Sequence, residues 1–310
     1  MIRSILITTD FSEASKAPFA TAASIARKFR AQLHLLHVGI DPQVVKPWQI
    51  LEESPEDRAR RRAELERRLE GFAAGETALE GLSVRRKVIV EPMAVALEQF
   101  LKREKIDLVL IATHGHSAVH HFPLGSFTVK MLQTARCPVL VYREIDDEAH
   151  PRSTGLAPRR ILVPHDFSRA SHEAMAAAHV WADAFGAQVR FITVADSSVV
   201  VPTGRALDRF DLQREEARAI RETEEHLDDI LLREWRGPHA QTVVRLGNPA
   251  VELLKETESW RPDLIVMTSR GLSLYDFATL GSVAERVIYG VGCPVLVVRY
   301  QPVLVPEAMA

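Results

Sequence analysis

Asp10 and Asp166 are the residues best placed in this chain to do chemistry. Each comes at the end of a short β-rich run, Ser4 to Thr9 or Arg160 to Pro164, and just before a helical stretch. In an open parallel sheet, ligands bind beyond the carboxyl ends of the strands, where a carboxylate can accept hydrogen bonds from a ribose or a base. A local role competes with this one, since an aspartate there can turn or cap the chain into the next helix, and Ser12 and Ser168 compete for the same job. The second chemical feature is a loop read twice: Ala112-Thr113-His114-Gly115, nine residues, then Gly125-Ser126, and Thr268-Ser269-Arg270-Gly271, nine residues, then Gly281-Ser282. Glycine admits a phosphate close to the backbone, the free N–H groups and dipole of a helix start attract anions, and the serine hydroxyl adds a donor.

A third constellation is made of imidazoles. His114, His116, His120 and His121 crowd the first loop, with His34 and His37 near the second strand, a density that could hold zinc. Phosphate contacts or plain polar surface explain them as well, and the second loop has none of them, so no metal is assigned.

These residues are positioned by a duplicated scaffold. Ile5, Leu6, Asp10, Phe11, Ser12, Ala14 and Ser15 recur 156 positions later as Ile161, Leu162, Asp166, Phe167, Ser168, Ala170 and Ser171, and the same offset carries Gly125 onto Gly281 and Cys137 onto Cys293. A period this long is a domain duplication, because solenoid repeats run about 20–50 residues. Each repeat alternates short β-rich runs with helical stretches, which predicts α/β architecture: two tandem doubly wound domains, each with a five-stranded parallel sheet. The expected strands are Ser4 to Thr9, Gln32 to Val38, Val84 to Val90, Asp107 to Thr113 and Pro138 to Tyr142, then Arg160 to Pro164, Gln188 to Val194, Gln241 to Leu246, Asp263 to Thr268 and Pro294 to Arg299. Expected helices include Lys16 to Phe29, Pro55 to Phe72, Met93 to Arg103 and Phe127 to Thr134. The domains are placed at residues 1–145 and 159–300, with an aperiodic linker at 146–158 and a tail at 301–310. Glu56 to Glu70 interleaves arginines with acids over Leu65 and Leu69 and reads as a solvated face laced with ion pairs.

With 39 basic and 41 acidic residues and a net charge of −2, nothing draws the protein to nucleic acid or to an anionic membrane. A small molecule or another protein is the expected partner. Cys137 and Cys293, each before a proline and a strand, read as two buried thiols and suit a reducing compartment. The first apolar run, Ile2 to Ile7, is too short for a signal-peptide core or a membrane span, so a cytoplasmic location is expected.

The opening Thr9-Asp10-Phe11-Ser12, the G-x2-G-x9-G-[S/T] spacing of the loops, Gly281 to Val287 and the closing Cys-Pro-Val-Leu-Val resemble the universal stress protein family, and the two repeats resemble its tandem form. The resemblance covers the chain apart from linker and tail. It implies pairing of domains along the last strand and, in one subgroup, binding of ATP, with or without Mg²⁺. It also implies nucleotide-binding roles for Asp10, the main chain of Val38, Ala112, Gly115, Gly125 and Ser126, and for Asp166, Val194, Thr268, Gly271, Gly281 and Ser282. Two departures bear on this. Ala112 and Thr268 stand where the family has its first loop glycine, adding a Cβ where the backbone could need positive φ or close approach of a ligand. Val90-Glu91-Pro92 replaces the family-like wording that the second repeat keeps as Gly247-Asn248-Pro249. Threonine adds more bulk than alanine, which slightly favours the first repeat as the binding site.

No G-x-G-x-x-G follows the first strand of either repeat, and the P-loop and the nucleophile elbow are absent. The sequence is therefore read as an ATP-responsive binding module and switch in stress response, acting on an unidentified protein partner, and at most a slow ATPase. An intramolecular pseudo-dimer is expected, with a homodimer of chains as a further option. The alternative is an interaction or structural protein whose nucleotide sites are degenerate.

Overall fold

The computed structural model describes residues 2–39, 54–91, 93–112, 125–142, 155–195, 209–238, 240–270 and 280–299. The first repeat contributes strands β1 (Ser4–Thr9), β2 (Gln32–Val38), β3 (Val84–Ile89), β4 (Leu108–Ala112) and β5 (Val139–Tyr142). The second contributes β6 (Arg160–Pro164), β7 (Gln188–Ala195), β8 (Ala240–Leu246), β9 (Leu264–Thr268) and β10 (Val295–Val298). Their order across one ten-stranded sheet is β3-β2-β1-β4-β5-β10-β9-β6-β7-β8. Each half is parallel. The halves meet along β5 and β10, which pair antiparallel with Leu140 opposite Leu296. Those two leucines are the same position in the two repeats, so the pseudo-twofold axis passes between them.

Helices cover both faces, which is why β1 is buried at all six residues. Because side chains alternate along a strand, Ile5 and Ile7 join one core and Leu6 the other. The first core is closed by α1 (Phe19–Phe29), α2 (Pro55–Ala74), α5 (Arg169–Phe185) and α6 (Arg209–Glu234); the second by α3 (Met93–Arg103), α4 (Ser126–Thr134), α7 (Pro249–Trp260) and α8 (Ser282–Gly290). Local signals set the boundaries: Ser54 and Asn248 accept hydrogen bonds from the first-turn N–H groups of Asp57 and Val251, each followed by a proline at the helix start. The helix expected from Lys16 begins instead at Phe19, after a 3-10 turn at Ala14–Lys16. Continuing an α-helix through that turn would require an N–H at Pro18, which proline lacks.

Both cores run across the junction. Phe29 of α1 packs edge-on against Trp181 and Phe185 of α5 at 6.1 Å each, and Arg299 donates to the carbonyls of Gln133 and Ala135. The end of the expected linker is packed as well: Leu156 is buried, the Ser24 hydroxyl donates to its carbonyl at 3.0 Å, and Gly155 has a φ of 70°. A Cβ at Gly155 would lie 2.6 Å from the Ala20 carbonyl oxygen, so helix α1 dictates glycine there. The tail lies outside the described residues. No helix among the described residues is long and apolar enough to cross a membrane.

Candidate functional site

In each half the strand order reverses between the first and fourth strands, and the crevice at that switch point is where open α/β sheets take ligands. Asp10 and Asp166 stand there in matching turns. The Ser12 N–H and hydroxyl both donate to Asp10 Oδ1, at 3.0 and 2.5 Å, and Ser168 repeats this on Asp166 Oδ1 at 3.1 and 2.5 Å. Each serine oxygen in turn accepts an N–H, from Ser15 at 3.1 Å and from Ser171 at 3.2 Å. The two roles that competed in the sequence are thus divided: aspartate makes the turn, serine caps the helical segment, and the carboxylate is fixed in orientation. Between them Phe11 and Phe167 adopt φ of 66° and 62°, a left-handed conformation that costs a bulky residue about 1–3 kcal/mol and is held by the surrounding structure.

Beneath each phenylalanine lies a threonine–histidine pair, with the two residues exchanged between repeats. In the first, Thr9 Oγ1 accepts the Phe11 N–H at 2.9 Å, and His37 Nδ1 donates to the Thr9 carbonyl at 2.8 Å. In the second, His165 Nδ1 accepts the Phe167 N–H at 3.3 Å, and the Thr193 hydroxyl donates to the His165 carbonyl at 2.9 Å. A carbonyl only accepts and an N–H only donates, so the neutral rings are opposite tautomers: His37 is protonated at Nδ1 and His165 at Nε2. The His165 Nε2 is buried with no hydrogen-bond partner among the described residues. Burial, with the His172 imidazole 5.2 Å away, pushes His165 down to about 4, and burial also lowers His37.

The fourth strands end at Ala112 and Thr268, both still in their ladders, paired with Tyr142 and Val298. Neither has positive φ, so the strain that the missing glycines implied does not arise. Gly125 and Gly281 precede α4 and α8 with φ of −58° and −68°, which any residue adopts. Packing at Gly281 is tight: its N–H donates to the Ser269 carbonyl at 2.9 Å, and a Cβ would sit 3.1 Å from that oxygen. Gly115, Gly271 and the loop histidines His114, His116, His120 and His121 lie outside the described residues.

At the second switch point the surface opens into a cavity of about 520 Å³ lined by Asp166, Val194, Thr268, Arg270, Gly281 and Ser282, and also by Thr223 of α6. The first turn of α8 faces this space without a side-chain cap, presenting backbone N–H groups beside the Arg270 cation. The cavity therefore has a cationic, donor-rich end and a carboxylate at the other strand. Sequence reasoning missed Arg270 as a site residue, although it occupies the third position of the loop motif.

Among the described residues no histidine, cysteine or acidic cluster could hold a metal ion. His34 and His37 project from opposite faces of β2, His34 toward Phe100 and His37 toward Phe11. Cys293 is buried and Cys137 half-buried, and burial pushes both thiols up to about 12, which leaves them unreactive.

The universal stress protein family profile matches the chain twice, over residues 1–143 and 158–299. A universal stress protein of Mycolicibacterium smegmatis is 29% identical over 314 aligned positions, covering 95% of this chain and 96% of its own. The crystal structure of a universal stress protein from Archaeoglobus fulgidus superposes with a TM-score of 0.65 at 19% identity, covering 96% of this chain and 98% of that one. A universal stress protein in complex with cAMP aligns with 47% of this chain and 100% of its own, at 21% identity and a TM-score of 0.36.

Proposed function

Because this chain belongs to the universal stress protein family, carrying its fold twice, we propose that it is a nucleotide-responsive binding module whose adenine-nucleotide site is the cavity of the second repeat. The observation that carries this reading is the convergence, in one cavity, of the uncapped α8 start, Arg270 and Asp166. Phosphates lie against the α8 N–H groups, Ser282 and Arg270, where partial positive charge and donors are already in place. The ribose hydroxyls bond to Asp166, and the base meets the end of β7 at Val194 and Ala195. ATP, with Mg²⁺ shared among the phosphates, is the nucleotide of choice because the donor set suits a polyphosphate. This reverses the slight preference for the first repeat drawn from the bulk of threonine, since Thr268 has no positive φ and its Cβ brings no backbone strain.

ATP at about 100 times its Kd should stabilise the folded chain by roughly 2.7 kcal/mol, read as an upward shift in melting temperature. Arg270→Ala should weaken binding about 10- to 100-fold, as expected for removing a charge-assisted contact. Gly281→Val should abolish the ATP-dependent shift, and Gly125→Val should leave it intact. The readout is the ATP-induced shift and not the melting temperature itself, because a side chain at Gly281 crowds the Ser269 carbonyl even without ligand. Absence of any shift or calorimetric heat in the unaltered protein at millimolar ATP and Mg²⁺ sinks the nucleotide reading and leaves an interaction protein with degenerate sites.

A further inference from the structure

The two halves treat the same crevice differently, and the difference lies in one helix. The helices α2 and α6 can be put in register by what they touch. Leu69 and Leu227 are both fully buried in the same core. One residue earlier, Arg68 lies over the Phe11 ring at 4.4 Å, and His226 packs on Phe167 at 4.6 Å. Seven residues later, just past the end of α2 and at the end of α6, Glu76 pairs with Lys16 at 2.8 Å, and Glu234 with His172 at 2.5 Å, where Lys16 and His172 are themselves equivalent. This register sets Arg61 against Ala219 and Leu65 against Thr223.

In the first repeat those two side chains close over the end of β2. The Arg61 guanidinium donates to the carbonyls of Gly39 at 3.3 Å and Val90 at 3.5 Å, bridging the carboxyl ends of β2 and β3. Leu65 approaches so closely that a Cβ at Gly39 would fall 2.7 Å from its Cδ1. The residue equivalent to Gly39 is Ala195, which lines the cavity of the second repeat together with Thr223. A guanidinium and an isobutyl group thus stand in the first repeat at the positions that Ala219 and Thr223 take in the second, where Thr223 and Ala195 line the cavity among the described residues.

We propose that Arg61 and Leu65 are a built-in plug that closes the base end of the first repeat's nucleotide site, so that each chain binds one nucleotide, in the second repeat. The inference rests on the nucleotide reading above. It also says that the first site is latent and not lost, because its Asp10 turn and its glycine-led α4 are intact.

The test is calorimetric titration of the full chain with ATP and Mg²⁺. Unaltered protein should bind one ATP, abolished by Gly281→Val and retained in Gly125→Val. Arg61→Ala/Leu65→Thr, which copies the second repeat's residues, should bind two; placed on Gly281→Val, it should restore one. Leu65→Thr alone, the milder change, should already show weak second-site heat, and far-UV circular dichroism checks that each variant folds. Two ATP in the unaltered protein, or loss of its one ATP in Gly125→Val, overturns the plug while leaving nucleotide binding standing. One ATP in both the unaltered protein and the double variant overturns it too. If the unaltered protein binds none, the second-repeat reading fails, and the double variant then decides the plug: one ATP gained keeps it and none removes it.

Discussion

The first and second repeats share a backbone and differ in what fills it. Both hold Asp, left-handed Phe and capping Ser in the same hydrogen-bonded turn, and in both an acid at or just past the end of the helix over the crevice pairs with the chain after that turn, through Lys16–Glu76 in one and His172–Glu234 in the other. Within this frame the threonine and histidine beneath the turn trade places, and Arg61 with Leu65 gives way to Ala219 with Thr223. The comparison teaches that the hydrogen-bond pattern constrains position and donor type more tightly than residue identity. A threonine hydroxyl or a neutral imidazole will accept the phenylalanine N–H, provided that the partner strand supplies the complementary donor.

The largest effect should come from separating the halves, which tests whether either stands without the other. Val139, Leu140 and Val141 and their partners Val295, Leu296 and Val297 are buried at the shared edge, and each half alone would expose a hydrophobic strand. Sedimentation should find the separated halves aggregated or self-paired. Two stable monomeric halves would show that the pairing contributes little to either.

A smaller effect distinguishes the two histidines' settings by acid. His165 is held neutral with a folded value of about 4 against an ordinary value of 6.5, so the unfolded chain binds the proton first as pH falls. The stability tied to a neutral His165 is whole above pH 6.5 and is lost progressively down to about pH 4, amounting to about 3 kcal/mol. His165→Thr, which copies Thr9 and keeps an acceptor for Phe167, should flatten that part of the pH dependence in urea titrations, whatever its absolute stability. An unchanged slope between pH 6.5 and 4.5 would mean that His165 is not what titrates.

The smallest effect is expected at the helix ties. His172 and Glu234 are both partly exposed, and Glu234→Gln keeps the side chain's shape, so it should cost less than about 1 kcal/mol by denaturant unfolding. A larger loss would make this tie a determinant of where α6 sits, and would set it apart from Lys16–Glu76 just past the end of α2.

Much of this was legible in the sequence because the sheet is buried on both faces. Strands such as Leu108–Ala112 and Val295–Val298 are continuous apolar runs, and the 156-residue offset reports each element twice. The aspartate turn could be located but not resolved, since Asp and Ser side chains each suit the same N–H groups until distances separate them. Arg61 was hidden for a physical reason. A helix with arginines and glutamates interleaved looks uniformly solvated, and only the docking of Leu65 and Leu69 on the core fixes which arginine is turned toward the strand ends. The exchange of Thr9 and His37 for His165 and Thr193 was equally hidden, because it is a property of two strands side by side.

The antiparallel pairing of Leu140 with Leu296 has a consequence for symmetry. A dimer of identical chains must carry the same residue in both of its crevices, so a substitution that closes one closes the other. Joining the two copies in one polypeptide removes that constraint and sets the partner at an effective concentration on the order of millimolar. The paired edge then persists at any dilution, while each crevice becomes free to acquire its own occupant.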